Sequence, residues 1–236
     1  YRVGASYGPL VGMASDGKDV YSLHANKLVR TRFVGGLPTQ EPVSVDSAVA
    51  GPMIVDGDVY FTTKKGLFAY NVNEGKIAPR NEGSNGDYSD MTDMAYCGTA
   101  DGKPAIAYYV ASVNSVFLNG AELKLNGRAD EKYRIACTDL DRDGKEDVVA
   151  VGSRGTAIAK GKWNKFYKRG AAGTSGLKDE TSGIAIGDIN NDGYPEVVFL
   201  GDNMVYALDR SGLPPTIRLK DHYVRCRNSQ LFCLLQ

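Results

Sequence analysis

The chain has 236 residues, enough for one large domain or two modest ones with a buried core. Its 28 basic and 28 acidic residues cancel, so no bulk field favours a nucleic acid or an anionic membrane surface, and no run approaches the ~18 consecutive apolar residues of a membrane span. Glycine accounts for 28 residues, about 12% against a usual ~7%, with no period of three, which predicts many tight turns and therefore many short strands.

The chain begins at Tyr1 with no basic-then-apolar leader and reads as a processed protein or a piece of one. The first turn signal is the Asp-Gly of "SDGKDVYSLH", followed by a strand from Val20 and another in "KLVRTRF". "MIVDGDVYFTTKKGLFAYNV", Met53 to Val72, gives three short strands separated by an Asp-Gly turn and a Lys-Lys-Gly turn. "ADGKPAIAYY" then leads to "SVFLNG" and "ELKLNG", "RDGKEDVVAV" to "GTAIAKG", and "NDGYPEVVFL" to "MVYALDRSG" and "TIRLK". No segment of comparable length carries the i, i+3, i+4, i+7 apolar spacing of an amphipathic helix.

The first apolar residues of the strands that follow the five Asp-Gly turns are Val20, Val59, Ile106, Val148 and Val197, at intervals of 39, 47, 42 and 49 residues. Three or four strands in each such interval predict an all-β chain built as a β-propeller of four-stranded antiparallel blades, about five of them visible. A β-sandwich with coincidental spacing is the plainer alternative, and five turns in register weigh against it. The expected organisation is one propeller domain over 1–236, with blades near 7–45, 46–90, 91–130, 131–179 and 180–222. Residues 223–236 would form a closing strand or open another blade.

Two of the turns are unusual. "DLDRDGKEDVVAV" runs from Asp139 to Val151 and "DINNDGYPEVVFL" from Asp188 to Leu200. The first puts Asp139, Asp141, Asp143 and Asp147 at loop positions 1, 3, 5 and 9, with the carbonyl of Lys145 at position 7. The second offers Asp188, Asn190, Asp192 and Glu196, with the carbonyl of Tyr194. Alternation lets a curled loop turn every second side chain inward, and Gly144 and Gly193 supply the turn. Such oxygen sets suit Ca²⁺, which takes six to eight oxygens at roughly 2.3–2.6 Å, so two calcium sites are expected. An EF-hand would need a bidentate Glu at position 12, where Ala150 and Phe199 stand in strand-like runs. A solvated acidic turn that binds nothing is the remaining alternative.

These two segments resemble the calcium loops of FG-GAP (VCBS-type) repeats, the propeller blades of integrin α-chains and of many secreted microbial proteins. The resemblance covers about residues 131–210 and implies calcium at both loops. In the third unit "YCGTADGKPAIAYY" keeps Asp101-Gly102 but has Cys97, Thr99 and Ala105 at positions 1, 3 and 9, so the turn survives without the calcium chemistry. The first two units are similar to blades of quinoprotein (PQQ-like) propellers, which supports the fold and implies no quinone. The expected ranking is tighter binding at the first loop, which presents four carboxylates against three and an amide.

Function is less legible. The residues carry no G-x-S-x-G, H-E-x-x-H or phosphate-cradling glycine loop, and the two histidines, His24 and His222, stand in unrelated contexts. No catalytic residue is assigned; His24 reads as a surface residue and most of the 14 tyrosines as packing. Cys226 and Cys233 flank a segment that could form a hairpin with a disulfide across it, whereas Cys97 and Cys137, near the ends of first strands in adjacent blades, read as buried thiols. The expected role is a secreted or cell-surface, calcium-stabilised module that binds a protein or glycan, with no nucleic-acid partner and no membrane insertion. A polysaccharide-lyase-type enzyme on a calcium-containing propeller and a structural segment of a larger surface protein are the alternatives.

Overall fold

The computed structural model describes residues 6–81, 91–118, 121–125, 133–152, 155–160, 163–168, 184–201, 204–208, 217–219 and 222–224. Cys226 and Cys233, with the proposed closing strand beyond Val224, lie outside them. The chain divides into two compact units, Tyr1–Asp93 and Met94–Gln236. Every regular element in the described residues is a β-strand.

The first unit holds two four-stranded antiparallel sheets, each in simple sequence order. One is β1 (Leu10–Ser15), β2 (Val20–His24), β3 (Lys27–Val34) and β4 (Leu37–Ser44); the other is β5 (Ala48–Val55), β6 (Asp58–Thr63), β7 (Gly66–Asn71) and β8 (Lys76–Asn81). Between the sheets Tyr21, Leu23 and Leu28 meet Val59, Phe61 and Tyr70 in one apolar cluster. At the first strands the sheets come closer than any side chain allows. A Cβ on Gly12 of β1 would lie 2.2 Å from the carbonyl oxygen of Gly51 in β5, and a Cβ on Gly51 would lie 3.1 Å from the Phe61 Cα. Only glycine fits that seam.

The second unit opens within β9 (Met91–Ala100), which joins β10 (Lys103–Val110), β11 (Ser115–Leu118) and β12 (Ala121–Lys124) in a third four-stranded sheet. The fourth comprises β13 (Tyr133–Thr138), β14 (Asp147–Gly152), β15 (Gly155–Lys160) and β16 (Trp163–Lys168). A three-stranded sheet follows, β17 (Ile184–Gly187), β18 (Glu196–Gly201) and β19 (Met204–Leu208). The "TIRLK" segment was expected as its fourth strand. Instead Ile217–Leu219 (β20) pairs with His222–Val224 (β21) as a separate two-stranded hairpin. A three-residue strand satisfies its backbone groups with a partner two residues away more readily than with a distant one.

Successive sheets in this unit pack face to face. Ala107, Tyr109 and Val116 of the third meet Tyr133, Ile135 and Val148 of the fourth, with the Tyr109 and Tyr133 rings edge to face at 5.2 Å. Val149 and Val151 of the fourth meet Val197 and Phe199 of the next. A strand covered on both faces needs a continuous apolar run rather than alternation. Accordingly Ala105–Val110 and Asp147–Gly152 are buried throughout, whereas β12 is largely exposed and β4 mixes exposed and half-buried residues. Burial thus falls from the second strand of a sheet to the fourth.

The Asp-Gly turns behave as the sequence predicts. Asp56-Gly57 joins β5 to β6 with φ of 51° and 83°, and Asp101-Gly102 joins β9 to β10 with φ of 52° and 72°, the two left-handed residues of a tight hairpin. At the first turn Asp16 Oδ1 accepts the amides of Lys18 and Asp19 at 2.8 and 2.7 Å. Next to it Asp19, 1% exposed, accepts from Arg30 Nε at 2.6 Å. The Arg30 guanidinium lies over the Tyr21 ring, and burial pushes the Tyr21 hydroxyl up to about 12. Six of the tyrosines (Tyr21, Tyr60, Tyr70, Tyr108, Tyr109 and Tyr133) are buried packing residues, as expected. His24 is half-buried, its Nδ1 3.0 Å from the Gly8 carbonyl.

Candidate metal centre

The first acidic loop connects β13 to β14. Strand pairing sets Thr138 opposite Asp147, so the first and ninth loop positions are brought together by the ladder before any side chain acts. Asp139 then organises the curl: its Oδ1 accepts the Asp143 amide at 3.0 Å and its Oδ2 the Gly144 amide at 2.8 Å. Asp143 Oδ1 accepts the Lys145 amide at 2.9 Å. Arg142 and Gly144 carry the two left-handed residues, φ 60° and 82°. Leu140 at position 2 is buried and anchors the loop in the apolar layer beneath, while its amide donates to Asp147 Oδ2 at 3.1 Å.

This geometry gathers three of the expected ligands. One carboxylate oxygen from each of Asp139, Asp141 and Asp147 lies within 4.8 Å of the others. Asp147 is 1% exposed, Asp139 half-buried and Asp141 exposed, so the cluster opens from the sheet toward solvent. Asp143 and Lys145 lie in the same curl, with the Asp143 carboxylate turned to the loop backbone. Glu146, at position 8, was not singled out by the sequence. Burial, with the charge of Asp139, holds its carboxyl above the ordinary range.

The second loop, between β17 and β18, repeats the scaffold. Asp188 accepts from the Asp192 amide at 3.1 Å and the Gly193 amide at 2.8 Å, and Asp192 Oδ1 from the Tyr194 amide at 2.8 Å. Asn191 and Gly193 are left-handed, φ 57° and 87°, at the same loop positions as Arg142 and Gly144. Its interior differs. The Asn190 amide nitrogen donates to Asp192 Oδ2 at 3.1 Å and to Glu196 Oε1 at 2.9 Å, closing the loop on itself. The Asn190 amide oxygen accepts the Asp192 amide at 2.8 Å. Glu196 is fully buried and also accepts the Ile189 amide at 2.8 Å. Burial raises its carboxyl above the usual range, and the charges of Asp192 and Asp188 raise it further.

The loops touch. The Arg142 guanidinium of the first lies 4.8 Å from the Tyr194 ring centroid of the second, and a Cβ on Gly193 would meet Arg142 Nη2 at 2.8 Å. The loop spacing alone does not single out Arg142.

The expectation of free thiols at Cys97 and Cys137 is corrected. They form a disulfide that ties β9 to β13, with Cα atoms 4.9 Å apart, inside the usual 4.4–6.8 Å range. The two strands end side by side in neighbouring sheets, which brings together cysteines 40 residues apart in the chain.

Residues 139–199 match the FG-GAP-like repeat, a span that contains both acidic loops. No curated protein matches the sequence. Among solved structures the chain is similar to the extracellular domain of a protein described as a hybrid two-component system from B. thetaiotaomicron, at 12% identity and a TM-score of 0.57. That likeness covers 96% of this chain and 30% of the other, so the chain spans less than a third of that relative's length. It is also similar to the N-terminal domain of Nup159 (12% identity, TM-score 0.53, 87% of this chain and 62% of that one). A third is BBS1N, solved in complex with ARL6DN (13%, 0.53, 89% and 68%). At these identities the likeness is one of fold. No helix among the described residues is long and apolar enough to cross a membrane. The repeat match and the sheet architecture together describe a β-propeller-type chain that carries an FG-GAP-like repeat over residues 139–199.

Proposed function

We propose that the chain is a calcium-stabilised propeller module that acts outside the cell and presents loops to a protein or glycan ligand. The observation that carries the calcium reading is the clustering of Asp139, Asp141 and Asp147. Two oxygens on opposite sides of one Ca²⁺ stand roughly 4.6–5.2 Å apart, twice the usual ligand distance. A trio confined within 4.8 Å therefore fits one ion, and its all-carboxylate chemistry suits a hard cation. Asp139, Asp141 and Asp147 would hold it, with Asp143 and the Lys145 carbonyl completing the first set. Asp188, Asn190, Asp192, Glu196 and the Tyr194 carbonyl would form the second, weaker one. The ion would supply charge neutralisation and a cross-link between the first two strands of a sheet.

Two observations support the extracellular address. A disulfide persists where the surroundings are oxidising, and one relative of the same fold is an extracellular domain. Millimolar calcium outside cells would fill even weak sites of the 10⁻⁴–10⁻³ M class.

Terbium luminescence tests the reading, because Tyr194 lies in the second loop and can sensitise a bound lanthanide. Emission that saturates, and that Ca²⁺ but not Mg²⁺ displaces at millimolar concentration, is the expected result. Absence of sensitised emission together with absence of a calcium heat in titration calorimetry would refute it. Glycan-array and surface pull-down binding, each with Ca²⁺ and with EDTA, then identify the class of ligand.

A further inference from the structure

In the third sheet the residue at loop position 1, where the later loops have Asp139 and Asp188, is Cys97. Its disulfide partner Cys137 stands two residues before Asp139 and pairs with Val148 across the β13–β14 ladder. On the far side of the same loop, Glu146 lies over Gly98: a Cβ placed there would sit 3.4 Å from Glu146 Cγ. Gly98 itself is left-handed, φ 73°. One covalent link thus fixes the strand that delivers the first acidic residue, and its neighbouring glycine forms the floor under the residue preceding Asp147. The second acidic loop has no such brace: Ile186 occupies the place of Cys137.

We infer that the Cys97–Cys137 disulfide is a redox lock on the first acidic loop, holding its carboxylates together, and that reduction releases this loop while leaving the second intact. The reaction is a two-electron exchange. The S–S bond accepts two electrons and two protons from an added dithiol, giving two thiols, and the dithiol closes to its own disulfide. The lock itself does not depend on calcium; only its effect on ion affinity rests on the functional reading above.

The test is hydrogen exchange of the whole chain in EDTA, oxidised and after dithiothreitol, comparing peptides over 138–148 with those over 188–197. Opening the lock accelerates the Asp143 and Gly144 amides by about tenfold or more and leaves the Asp192 and Gly193 amides unchanged. The double variant Cys97→Ser/Cys137→Ser reproduces the reduced pattern without reductant. Unchanged exchange in the first loop overturns the inference, as does equal acceleration of both loops, which would mark a general loosening. Calcium titration in the Asp192→Ala background separates the two readings. A tenfold loss of affinity on reduction supports the lock, and unaltered affinity opposes it. If the oxidised chain binds no calcium while the exchange pattern holds, the metal reading fails and the lock stands.

Discussion

Asp147→Asn should make the chain more stable in EDTA and shrink the rise that calcium adds, a combination that no ordinary packing defect produces. The side chain is buried, and its Oδ2 accepts the Leu140 amide at 3.1 Å, a bond that an asparagine oxygen can keep. What the substitution removes is one of three negative charges confined within 4.8 Å. Two unit charges at that distance repel by about 1–3.5 kcal/mol for effective dielectric constants between 80 and 20, so the metal-free variant gains up to that amount. In 10 mM Ca²⁺ a site with Kd of 0.1–1 mM adds about 1.4–2.7 kcal/mol, or roughly 3–11 °C in a chain of this size. A tenfold weaker site loses about 1 kcal/mol of that. Differential scanning fluorimetry of parent and variant, each in EDTA and in 10 mM Ca²⁺, reads all four values. A parent that does not respond to calcium, or a variant that keeps the full rise, refutes the argument from charge clustering.

Asp16→Ala removes the acceptor for two amides and should cost about 1 kcal/mol or less at pH 7, since solvent can replace part of those bonds. The Asp19 amide, with the Lys18 amide, holds the Asp16 carboxyl below the ordinary carboxylate range, so its contribution is present above that range and fades as pH falls through the lowered value. Urea midpoints of parent and variant should therefore converge in strong acid. Asp19→Ala leaves a buried Arg30 charge without its main counterion and should cost about 3–5 kcal/mol, most of it recovered in Asp19→Leu/Arg30→Met; equal losses in both would refute a pairing effect. Phe61→Ala empties the centre of the first unit's cluster and should cost about 3–5 kcal/mol, with hydrogen exchange rising in β6 and β7 and not in β13 and β14.

What the sequence made legible is local along the chain. The turn at Asp101-Gly102, the strands that carry Val59 and Val148 as their first apolar residues, and the glycine at position 6 of each acidic loop all follow from neighbours a few residues away, and the structure has them there. Relations between sheets were not legible. Cys97 and Cys137 were placed correctly near the ends of adjacent first strands, yet their bonding depends on how those ends face one another. The same holds for Arg142, whose side chain meets Tyr194 only because two loops 49 residues apart in sequence emerge side by side. Asp19 stands just before β2 and Arg30 in β3, which pairs with β2, and the repeat pattern carries apolar positions, not the charges that match across the sheet. The "TIRLK" strand failed for a related reason: composition marks a short strand but does not choose its partner.

The seam at Gly12 and Gly51 has a geometric consequence. The first strands of the two sheets meet backbone against backbone, while further out Tyr21, Phe61 and Tyr70 stand between the layers. Such a pair of sheets is a wedge, thin where glycine sits and thick where the rings sit. Side-chain volume along the strand order therefore sets the angle between these two sheets. Enlarging the thin edge by one methyl group at Gly12 would do more than strain a bond; it would push the two first strands apart and change the angle between their sheets.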